Sequence, residues 1–343
     1  MRNRLTFIVL LIFTLFSCDL LTQYDLKRFD VAMDENIVRP CIYAYYYNNN
    51  KLQVEISATR PTTNYKRIDF KEANIKLSNP SSTTVYIDTT VVLLYKEDVR
   101  QSNKVTIPIE YFKKIPETDE TLKISIKIPL FDTITGAAQI PQMPETKTIT
   151  AQKLNGEEIE YLFKLPIKNR KNIDNYYLIT SSYKLINYYD KTYKIDTTTT
   201  NHRYRIPLTD PIFDFLPSNR TSVTEPFAID NYKPRIFDGR VFGNAVYNLK
   251  IQLPVYNYDY YISPKDSYSS TYYIELFAIS KELFKAYKNN YMARIIEGDI
   301  YAEPLTAYSN MSNEIGFFGV LSKPSMQGYN LPKNDVLNFG VNL

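Results

Sequence analysis

The chain has 343 residues, of which 44% are hydrophobic and 23% charged, an ordinary balance for a folded globular protein. Its formal net charge of +4 gives no reason to expect a nucleic-acid partner, because such a partner calls for a clustered basic surface. The length exceeds the usual size of a single hydrophobic core, so one large or two medium domains are expected. The 31 Tyr favour pleated, half-buried β-structure.

The first eighteen residues have the layout of a bacterial export signal. Residues 1–4 carry two positive charges, and an uncharged, largely apolar run follows from Leu5 to Phe16. This run is too short for a membrane-spanning helix, which needs roughly 20 apolar residues, and it fits the core of a signal peptide. Leu15-Phe16-Ser17-Cys18 then resembles the lipobox of bacterial lipoproteins, although Phe16 is bulkier than usual. The resemblance implies a lipid thioether on Cys18, cleavage before it, and acylation of the new amino terminus.

The predicted anchor at Cys18 fixes the interpretation of the N-terminal region. Residues 1–17 are the expected signal peptide, and residues 18–36 are a polar and acidic tether. Several acyl chains of the palmitate type anchor firmly, whereas one chain binds marginally. We expect the anchor to lie in the outer membrane. The periplasmic and cell-surface sides both stay open. An ordinary secretory signal with a chance Cys is the alternative.

The second cysteine, Cys41, is left without a disulfide partner if Cys18 carries lipid. It lies in an apolar and aromatic run, Cys41-Ile42-Tyr43-Ala44-Tyr45. A small thiol in such a run is typical of a buried, inert side chain rather than a nucleophile.

Residues 37–150 are predicted to form a β-sandwich domain. Short segments here alternate apolar and polar residues, the pattern of half-buried strands, and turn residues separate them. The predicted strands are Lys51–Ala58, Ala73–Leu77, Thr84–Ile87, Val91–Tyr95, Lys104–Tyr111 and Leu122–Ile128. The stretch Pro141–Pro144 marks the expected domain boundary.

Residues 151–343 are predicted to form a second β-rich domain with one short helix. Strand patterns occur at 159–167, 175–186, 240–255 and 271–279, while Thr197–Thr200 and 207–234 look like connections. The helix is expected near 281–296, because Ser280 is an N-cap candidate and Leu283, Phe284, Tyr287 and Tyr291 share one face.

The segments after this helix carry a family resemblance. Gly298–Pro304 reads GDIYAEP, Tyr308–Met311 reads YSNM, and Gly316–Gly319 reads GFFG, while Phe237–Gly239 upstream reads FDG. Together these segments resemble the signature of a lipoprotein family of Bacteroidota, domain of unknown function 4249. Ile300-Tyr301 and Met311 depart from the usual residues of that signature.

The resemblance implies a cell-envelope lipoprotein with an N-terminal immunoglobulin- or transthyretin-like sandwich and a second β-rich domain. Genes of this family often lie near TonB-dependent outer-membrane receptors, which implies a partner role. No activity is established for the family, so no functional residues carry over. Independently of the family, Gly316 and Gly319 around Phe317-Phe318 suit a close backbone approach, with a structural strand preferred over a binding rim.

No catalytic, metal or cofactor constellation is recognisable in the sequence. His202 is the one His and has no Cys nearby, which argues against a zinc site, and we interpret it as solvated. No nucleophile elbow, phosphate-binding Gly loop or calcium loop is present. We therefore expect a non-enzymatic protein without cofactors, although a hydrolase that uses paired carboxylates stays as a remote alternative.

Clusters of Tyr are the one suggestive signal. They include Tyr45–Tyr47, Tyr176-Tyr177, Tyr188-Tyr189 and Tyr272-Tyr273, and adjacent strand residues face opposite sides. Tyr256, Tyr258, Tyr260 and Tyr261 are the candidate ligand-binding residues, because Asn257, Asp259 and Pro264 mark a loop or hairpin tip. The simpler interpretation is that Tyr replaces Trp and Phe on half-buried strands.

Three functions follow in order of preference. The first is a partner or accessory subunit of an outer-membrane β-barrel receptor. The second is direct capture of a glycan or peptide through exposed Tyr. The third is the carboxylate hydrolase.

Overall fold

In a computed structural model, most of the chain beyond residue 38 is described. The described residues are 39–48, 50–59, 70–93, 103–154, 160–169, 175–191, 194–204, 210–214, 234–254, 267–296, 307–322 and 324–330. The backbone alone is described at 103, 183–191, 194–204, 254, 267–270 and 294–296.

The described chain is built mainly from β-strands. In chain order they are β1 (Pro40–Tyr47), β2 (Lys51–Ala58), β3 (Glu72–Ser78), β4 (Val85–Val92), β5 (Asn103–Pro108), β6 (Thr121–Lys127), β7 (Ile134–Gln139), β8 (Glu145–Thr146), β9 (Thr150–Leu154), β10 (Glu160–Lys168), β11 (Tyr176–Lys191), β12 (Lys194–Tyr204), β13 (Ile236–Asp238), β14 (Val246–Pro254), β15 (Ser267–Ile279), β16 (Gly316–Leu321) and β17 (Ser325–Asn330). Helix α1 (Lys281–Ile296) follows β15, and short 3-10 turns lie at Ile109–Tyr111, Pro211–Phe213 and Gly239–Phe242.

The strands form three sheets. The largest has the order β12-β11-β15-β16-β1-β2-β5, with β13 added beside β11 and β17 beside β15. A second sheet has the order β14-β10-β8 with β9 beside β10, and a third has the order β4-β3-β6-β7. The predicted mainly β fold, with sandwich-type sheets and a helix over 281–296, is confirmed within the described residues.

The alternating strand patterns correspond to buried and solvent-facing sides. In β2 the buried side chains are Leu52, Val54 and Ile56, and the same period of two holds in β3 and β6. Each fully buried aliphatic side chain stabilises the fold by roughly 1.5–3 kcal/mol relative to exposure. Cys41 is buried, as its apolar surroundings predicted.

Several sequence interpretations were wrong. The predicted strands Lys104–Tyr111 and Arg240–Val255 each overlap a 3-10 turn, at Ile109–Tyr111 and Gly239–Phe242. Two further errors fall on edge strands. Thr84–Ile87 and Val91–Tyr95 were separate predicted strands, but Val85–Val92 is one continuous strand at the edge of the third sheet. The Thr-rich stretch 197–200, predicted as a connection, lies within β12 at the edge of the largest sheet. Edge strands tolerate polar residues, so the apolar alternation is weak there.

The chain divides into two units, Met1–Cys41 with Ser57–Asp69, and Ile42–Ile56 with Phe70–Leu343. In the first unit the Thr59 N–H donates to the Arg39 carbonyl at 2.9 Å. The second unit contains both Ile42 of β1 and Gly316 of β16, which are register partners in one sheet. The domain boundary predicted near residue 150 stays a prediction, and the β1–β16 pairing crosses it.

Strands β1 and β16 are parallel, and a glycine permits their approach. The register runs from Ile42 opposite Gly316 to Tyr47 opposite Leu321. Gly316 has a φ of 91°, and a Cβ at this position would lie 1.8 Å from the Ile42 carbonyl oxygen. Only a residue without a side chain fits there, so the close approach predicted for this glycine is confirmed.

Two apolar clusters in the second unit lie on opposite faces of β11 and β15 in the largest sheet. One joins β10 and β14 to β11 and β15, with Phe163, Tyr272 and Leu249 fully buried or nearly so. The other lies under α1, where Leu283, Ala286 and Tyr291 pack with Phe317 and Leu321. Partly buried rings join this second cluster from the same side of β1, at Tyr43, Tyr45 and Tyr47.

Replacing Gly316 by Ala tests the close approach of β1 and β16. We expect Gly316→Ala to lower the free energy of unfolding by roughly 3 kcal/mol, from about 1–2 kcal/mol of backbone strain and about 1–3 kcal/mol of overpacking. Urea unfolding measures the loss. Gly328→Ala is the matched control, because its Cβ would meet Tyr273 at 3.2 Å and no backbone atom closer. Equal losses in the two variants would contradict the interpretation.

Candidate functional site

The sequence-predicted site residues are not all within the described chain. Cys18 and the ligand-binding candidates Tyr256, Tyr258, Tyr260 and Tyr261 lie outside it. The Tyr pairs that are described contribute to the cores: Tyr46, Tyr176, Tyr177 and Tyr272 are buried. His202 lies on β12, where the backbone alone is described.

A cleft of about 250 Å³ with several polar side chains is a candidate site among the described residues. It lies where the end of β7, the start of β11 and the start of α1 meet. Its polar lining consists of Asp119, Gln139, Gln142, Asn175, Lys281 and Glu282. Its floor is formed by buried Ile140, Tyr176, Ile279 and Ser280.

The start of α1 is fixed by Ser280. The Ser280 hydroxyl oxygen accepts the Leu283 N–H at 3.3 Å, which is an N-cap bond, and also the Val320 N–H at 3.2 Å. The Ser280 N–H in turn donates to the Val320 carbonyl at 2.9 Å. The first turn of the helix is thereby joined to β16, and Lys281 and Glu282 are placed at the cleft.

Glu282 has one oxygen with no hydrogen-bond partner. Its Oε2 atom is buried, although the residue as a whole is part-exposed. An unmet buried acceptor costs roughly 1–3 kcal/mol, more when it is charged, so this oxygen lowers the stability of the fold. It is closed to solvent, so a molecule in the cleft does not reach it. The carboxylate lies at the helix N-terminus, where negative charge is favoured.

Asp119 is presented to the cleft by a turn before β6. Its φ is 70°, and its N–H donates to the Ile140 carbonyl at 3.1 Å. The Gln139 amide donates to the Asp119 carbonyl oxygen at 3.3 Å, and the Gln142 amide donates to its carboxylate. Asp119 is therefore held by the last residue of β7 and by the segment that follows it.

Glu120, the next residue, anchors the same turn. Its carboxylate accepts the Tyr86 hydroxyl at 2.6 Å, the Glu117 N–H at 2.7 Å and the Asn79 amide at 3.1 Å. Burial by itself raises the pKa of Glu120, but these three hydrogen bonds outweigh burial and bring the pKa below its ordinary value of 4.5. Burial, followed by the bond to Glu120, raises the pKa of Tyr86 to about 12.

The cleft offers hydrogen-bond donors and acceptors rather than a metal site. Across the residues that the structure describes, no group of three or more His, Cys, Asp and Glu side chains could hold a metal ion. The lining presents two carboxylates, three amides and one ammonium, and the Gln139 and Gln142 amides already donate to Asp119.

The YSNM segment (Tyr308–Met311) and the GFFG segment (Gly316–Gly319) make hydrogen bonds and close contacts between strands. The Asn310 amide nitrogen donates to the Ala137 and Phe318 carbonyls, each at 2.9 Å, and its oxygen accepts the Phe318 N–H at 2.8 Å. Gly136 lies under Met311, whose sulfur would be 2.5 Å from a Cβ, and Gly319 lies under Leu283 at 2.8 Å. These residues connect β7, β16 and α1.

The FDG segment has a similar structural role. The Asp238 side chain accepts the Arg240 N–H at 2.9 Å and pairs with the Arg240 guanidinium. Gly239 leaves no room for a Cβ, which would lie 2.5 Å from the Asn169 amide oxygen. Buried Asn169 donates to the Gly239 and Gly243 carbonyls and accepts the Tyr177 hydroxyl. The segment therefore joins the 3-10 turn to the core.

The comparison with protein-family models matches a range of the chain that includes these segments. The family model described as Domain of unknown function (DUF4249) matches residues 29–327. The chain belongs to this family. The FDG, YSNM and GFFG segments all lie within the matched range, so the family resemblance falls on residues that hold strands and helix together.

The other comparisons indicate no function for this chain. A search of curated proteins finds no match. Among solved structures, the FN1–FN3 domains of chicken CNTN1 are similar at 10% identity over 71% of this chain and 60% of that one, with a TM-score of 0.25. A similarity this low carries no argument, and the chain spans less than two thirds of that structure.

Sequence reasoning missed Asp119 and Glu282 as site residues. They come from segments far apart in the chain, and neither belongs to a motif with a fixed spacing. The available signal was indirect: Ser280 marked a helix start, and Pro141–Pro144 marked a break after β7.

The pH dependence of stability tests the Glu120 anchor. A lowered pKa in the folded state contributes stability above the ordinary pKa, and this stability is lost as pH falls through the folded pKa. Between about pH 6 and about pH 3 we expect Glu120→Gln to lose roughly 0.5 kcal/mol less than the unsubstituted protein, a small figure because solvent screens the carboxylate. Glu117→Gln in the same turn is the control and should follow the unsubstituted protein. An equal loss of unfolding free energy on acidification in all three proteins would disprove the stabilising role of Glu120.

Proposed function

We propose that this protein is a lipid-anchored component of the bacterial cell envelope, held in the outer membrane through Cys18. In this proposal it acts as a non-enzymatic partner of a TonB-dependent-type outer-membrane β-barrel receptor. The observation that carries the proposal is Leu15-Phe16-Ser17-Cys18 directly after a short apolar run and two N-terminal Arg. Within the described residues, no helix has the length and hydropathy of a membrane-spanning segment.

Two carboxylates with several hydrogen bonds have structural roles in the fold. Buried Asp210 accepts the Ile212 N–H at 2.9 Å, the Lys250 N–H at 2.8 Å and the Tyr247 hydroxyl. Burial and this bond raise the pKa of Tyr247. Asp210 and Glu120 each have at least three donors, so both are engaged in holding loops to strands.

Direct capture of a glycan or peptide through Tyr256, Tyr258, Tyr260 and Tyr261 is the second proposal. It requires these four rings to converge on one exposed surface. Adjacent rings on a hairpin tip are suited to stacking on sugars or filling a protein interface.

The two cysteines give a matched test of the anchor. In cells that produce this protein and are fed an alkyne analogue of palmitate, we expect the native protein and Cys41→Ala to be labelled and to sediment with membranes. Cys18→Ala should be unlabelled, because the thioether and the later acylation both depend on the Cys18 thiol. In-gel fluorescence after fractionation measures the result. Labelling that survives Cys18→Ala would disprove the assignment.

Co-purification tests the partner role. Tagged full-length protein, extracted from native membranes in mild detergent, should carry a β-barrel receptor in near-stoichiometric amount, which mass spectrometry of the intact complex measures. Residues 1–36 fused to an unrelated soluble protein are the control, because this fusion keeps the anchor and tether and lacks the folded chain. A monodisperse lipoprotein alone, or equal barrel recovery with the fusion, would reject the partner role and leave direct capture.

A further inference from the structure

The turn between β6 and β7 places a large apolar side chain entirely in solvent. The Phe131 N–H donates to the Ile128 carbonyl at 3.1 Å, which closes the Leu130 turn, a four-residue turn over Ile128–Phe131. Leu130 is 101% exposed, the highest value among the exposed large hydrophobic residues of the described chain. A side chain that buries no surface adds nothing to the hydrophobic stability of the fold, so packing does not account for this Leu.

The backbone of the Leu130 turn suits a different residue. Pro129 is its second residue, and Leu130, its third, has a φ of 72°. Pro followed by a positive φ is the arrangement of a type II turn, in which the third residue is usually Gly or Asn. In the left-handed region the Cβ of Leu crowds the following carbonyl oxygen. Leu130 is thus unfavourable in both backbone and exposure, and an outlier of this kind indicates a function.

Val92 is a second exposed apolar residue at this end of the third sheet. It is the last residue of β4, is 69% exposed, and is the register partner of Glu72 at the start of β3. Asn74, two residues further along β3, is the partner of Lys127, which ends β6 just before the turn. Val92 and the Leu130 turn therefore lie at the same end of the sheet, with β3 between their strands.

The Leu130 turn is held in position by contacts with its neighbours. Phe131 packs edge-on against buried Phe70, with the ring centroids 5.6 Å apart. The Lys127 ammonium donates to the Phe131 carbonyl at 2.6 Å. Because the turn is already ordered, little conformational freedom is lost when Leu130 is buried against a partner.

The charges around the turn are balanced. Lys71 and Lys127 are exposed at this end of the sheet, and so are Glu72 and Asp132, which leaves no net charge. Such a surface favours neither an acidic nor a basic partner, so its apolar side chains determine what it binds.

The apolar area is too small for a stable protein partner. It consists of Leu130, Val92 and the exposed part of Phe131, whereas a standard protein interface takes roughly 800 Å² and 20–30 residues from each partner. The same argument applies to a second copy of this chain. A lipid bilayer has no such requirement, because its acyl boundary takes up protruding apolar side chains without a matching shape.

The course of the chain after the predicted anchor also favours a bilayer. Ile42, the first residue of the second unit, pairs with Gly316. Ser312, four residues before Gly316, donates its N–H to the carbonyl of Thr135, the second residue of β7. The chain from Cys18 therefore enters this unit on the side of the third sheet that carries the Leu130 turn. The stretch from Cys18 to Ile42, about 24 residues, spans at most roughly 80–85 Å.

We propose that the Leu130 turn, together with Val92, inserts into the bilayer that holds the lipid on Cys18. The proposal rests on the lipid anchor of the proposed function and adds a second contact, made by the folded chain itself. Leu130 alone binds a bilayer weakly, but the anchor keeps it at a high effective concentration there, so the contact persists. Its consequence is orientation, because this end of the third sheet then lies on the membrane.

Quenching by spin-labelled lipids tests this contact. The mature, lipidated protein is added to preformed phosphatidylcholine vesicles, with a fluorophore attached at Thr133→Cys beside the turn. Ser81→Cys, in the turn between β3 and β4 at the opposite end of the third sheet, is the control, and both positions are exposed. Cys41 is buried and Cys18 is blocked by its lipid, so neither competes for the label.

We expect a nitroxide near the lipid headgroup to quench the probe at 133 at least about twofold more than the probe at 81, because insertion is roughly 5–10 Å deep. Added phosphatidylglycerol or high salt should leave this difference unchanged, because the surrounding charges are balanced.

Substitutions of Leu130 separate membrane contact from structure. Leu130→Gly suits the positive φ, so it should unfold at the same or a higher urea concentration, yet quenching at 133 should fall to the level at 81. Leu130→Asp should lower the quenching equally. Tyr111→Asp, which changes another exposed hydrophobic residue in the 3-10 turn after β5, should leave the quenching as it is.

Equal quenching at 133 and 81 in vesicles that retain the protein would overturn this contact and leave the lipid anchor intact. Protein that does not stay with the vesicles would contradict the anchor, and with it the contact that depends on it. Quenching that needs phosphatidylglycerol and disappears in salt would replace the apolar contact by an electrostatic one. Quenching that depends on the density of protein on the vesicle would make a second copy the occupant, and either result would overturn the proposal.

Discussion

The parallel pairing of β1 with β16 is the constraint on which the rest of the structure depends. It requires Gly316, because the Ile42 carbonyl occupies the space of any side chain there. On one face of these strands lies the cluster that contains Phe317 and the helix, and on the other lie fully buried Tyr46 and Phe318. Ser280 at the start of α1 is hydrogen-bonded to Val320 of β16. The β1–β16 pairing therefore positions the end of the helix that lines the cleft.

The family signature and the cleft are made in different ways. In the signature, short recognisable motifs make contacts across the fold: Asn310 donates to the Ala137 and Phe318 carbonyls, and Gly239 and Gly319 admit neighbours that a Cβ would exclude. The cleft is assembled from the turn at Asp119, the segment after β7 and the start of α1. Exposed lining residues such as Gln139 and Lys281 can therefore change with little effect on the sheets, whereas changes in the signature, or at buried Ser280 and Tyr176 in the cleft floor, alter the fold.

The sequence predicts most of this fold and little of the cleft, for a physical reason. Strands β2, β3 and β6 bury one face, so their period of two is clear, and Ser280 with the apolar stripe after it predicts α1. Edge strand β4 buries only Tyr86 and Ile87, and the polar residues of β4 and the Thr-rich run of β12 resemble turns. The β1–β16 register and the meeting of Asp119 with Glu282 depend on distant segments, and no local pattern encodes such contacts.

The β1–β16 pairing also has a kinetic consequence. These neighbours come from opposite ends of the described chain, so closing the loop between them has a large entropic cost, and pairings of this kind form slowly. Until β16 is available, β1 has one edge with unsatisfied backbone groups, and its apolar side chains are part of an unfinished core. A growing or truncated chain would therefore be prone to aggregate, and chaperones that cover strand edges would matter most before the last residues arrive.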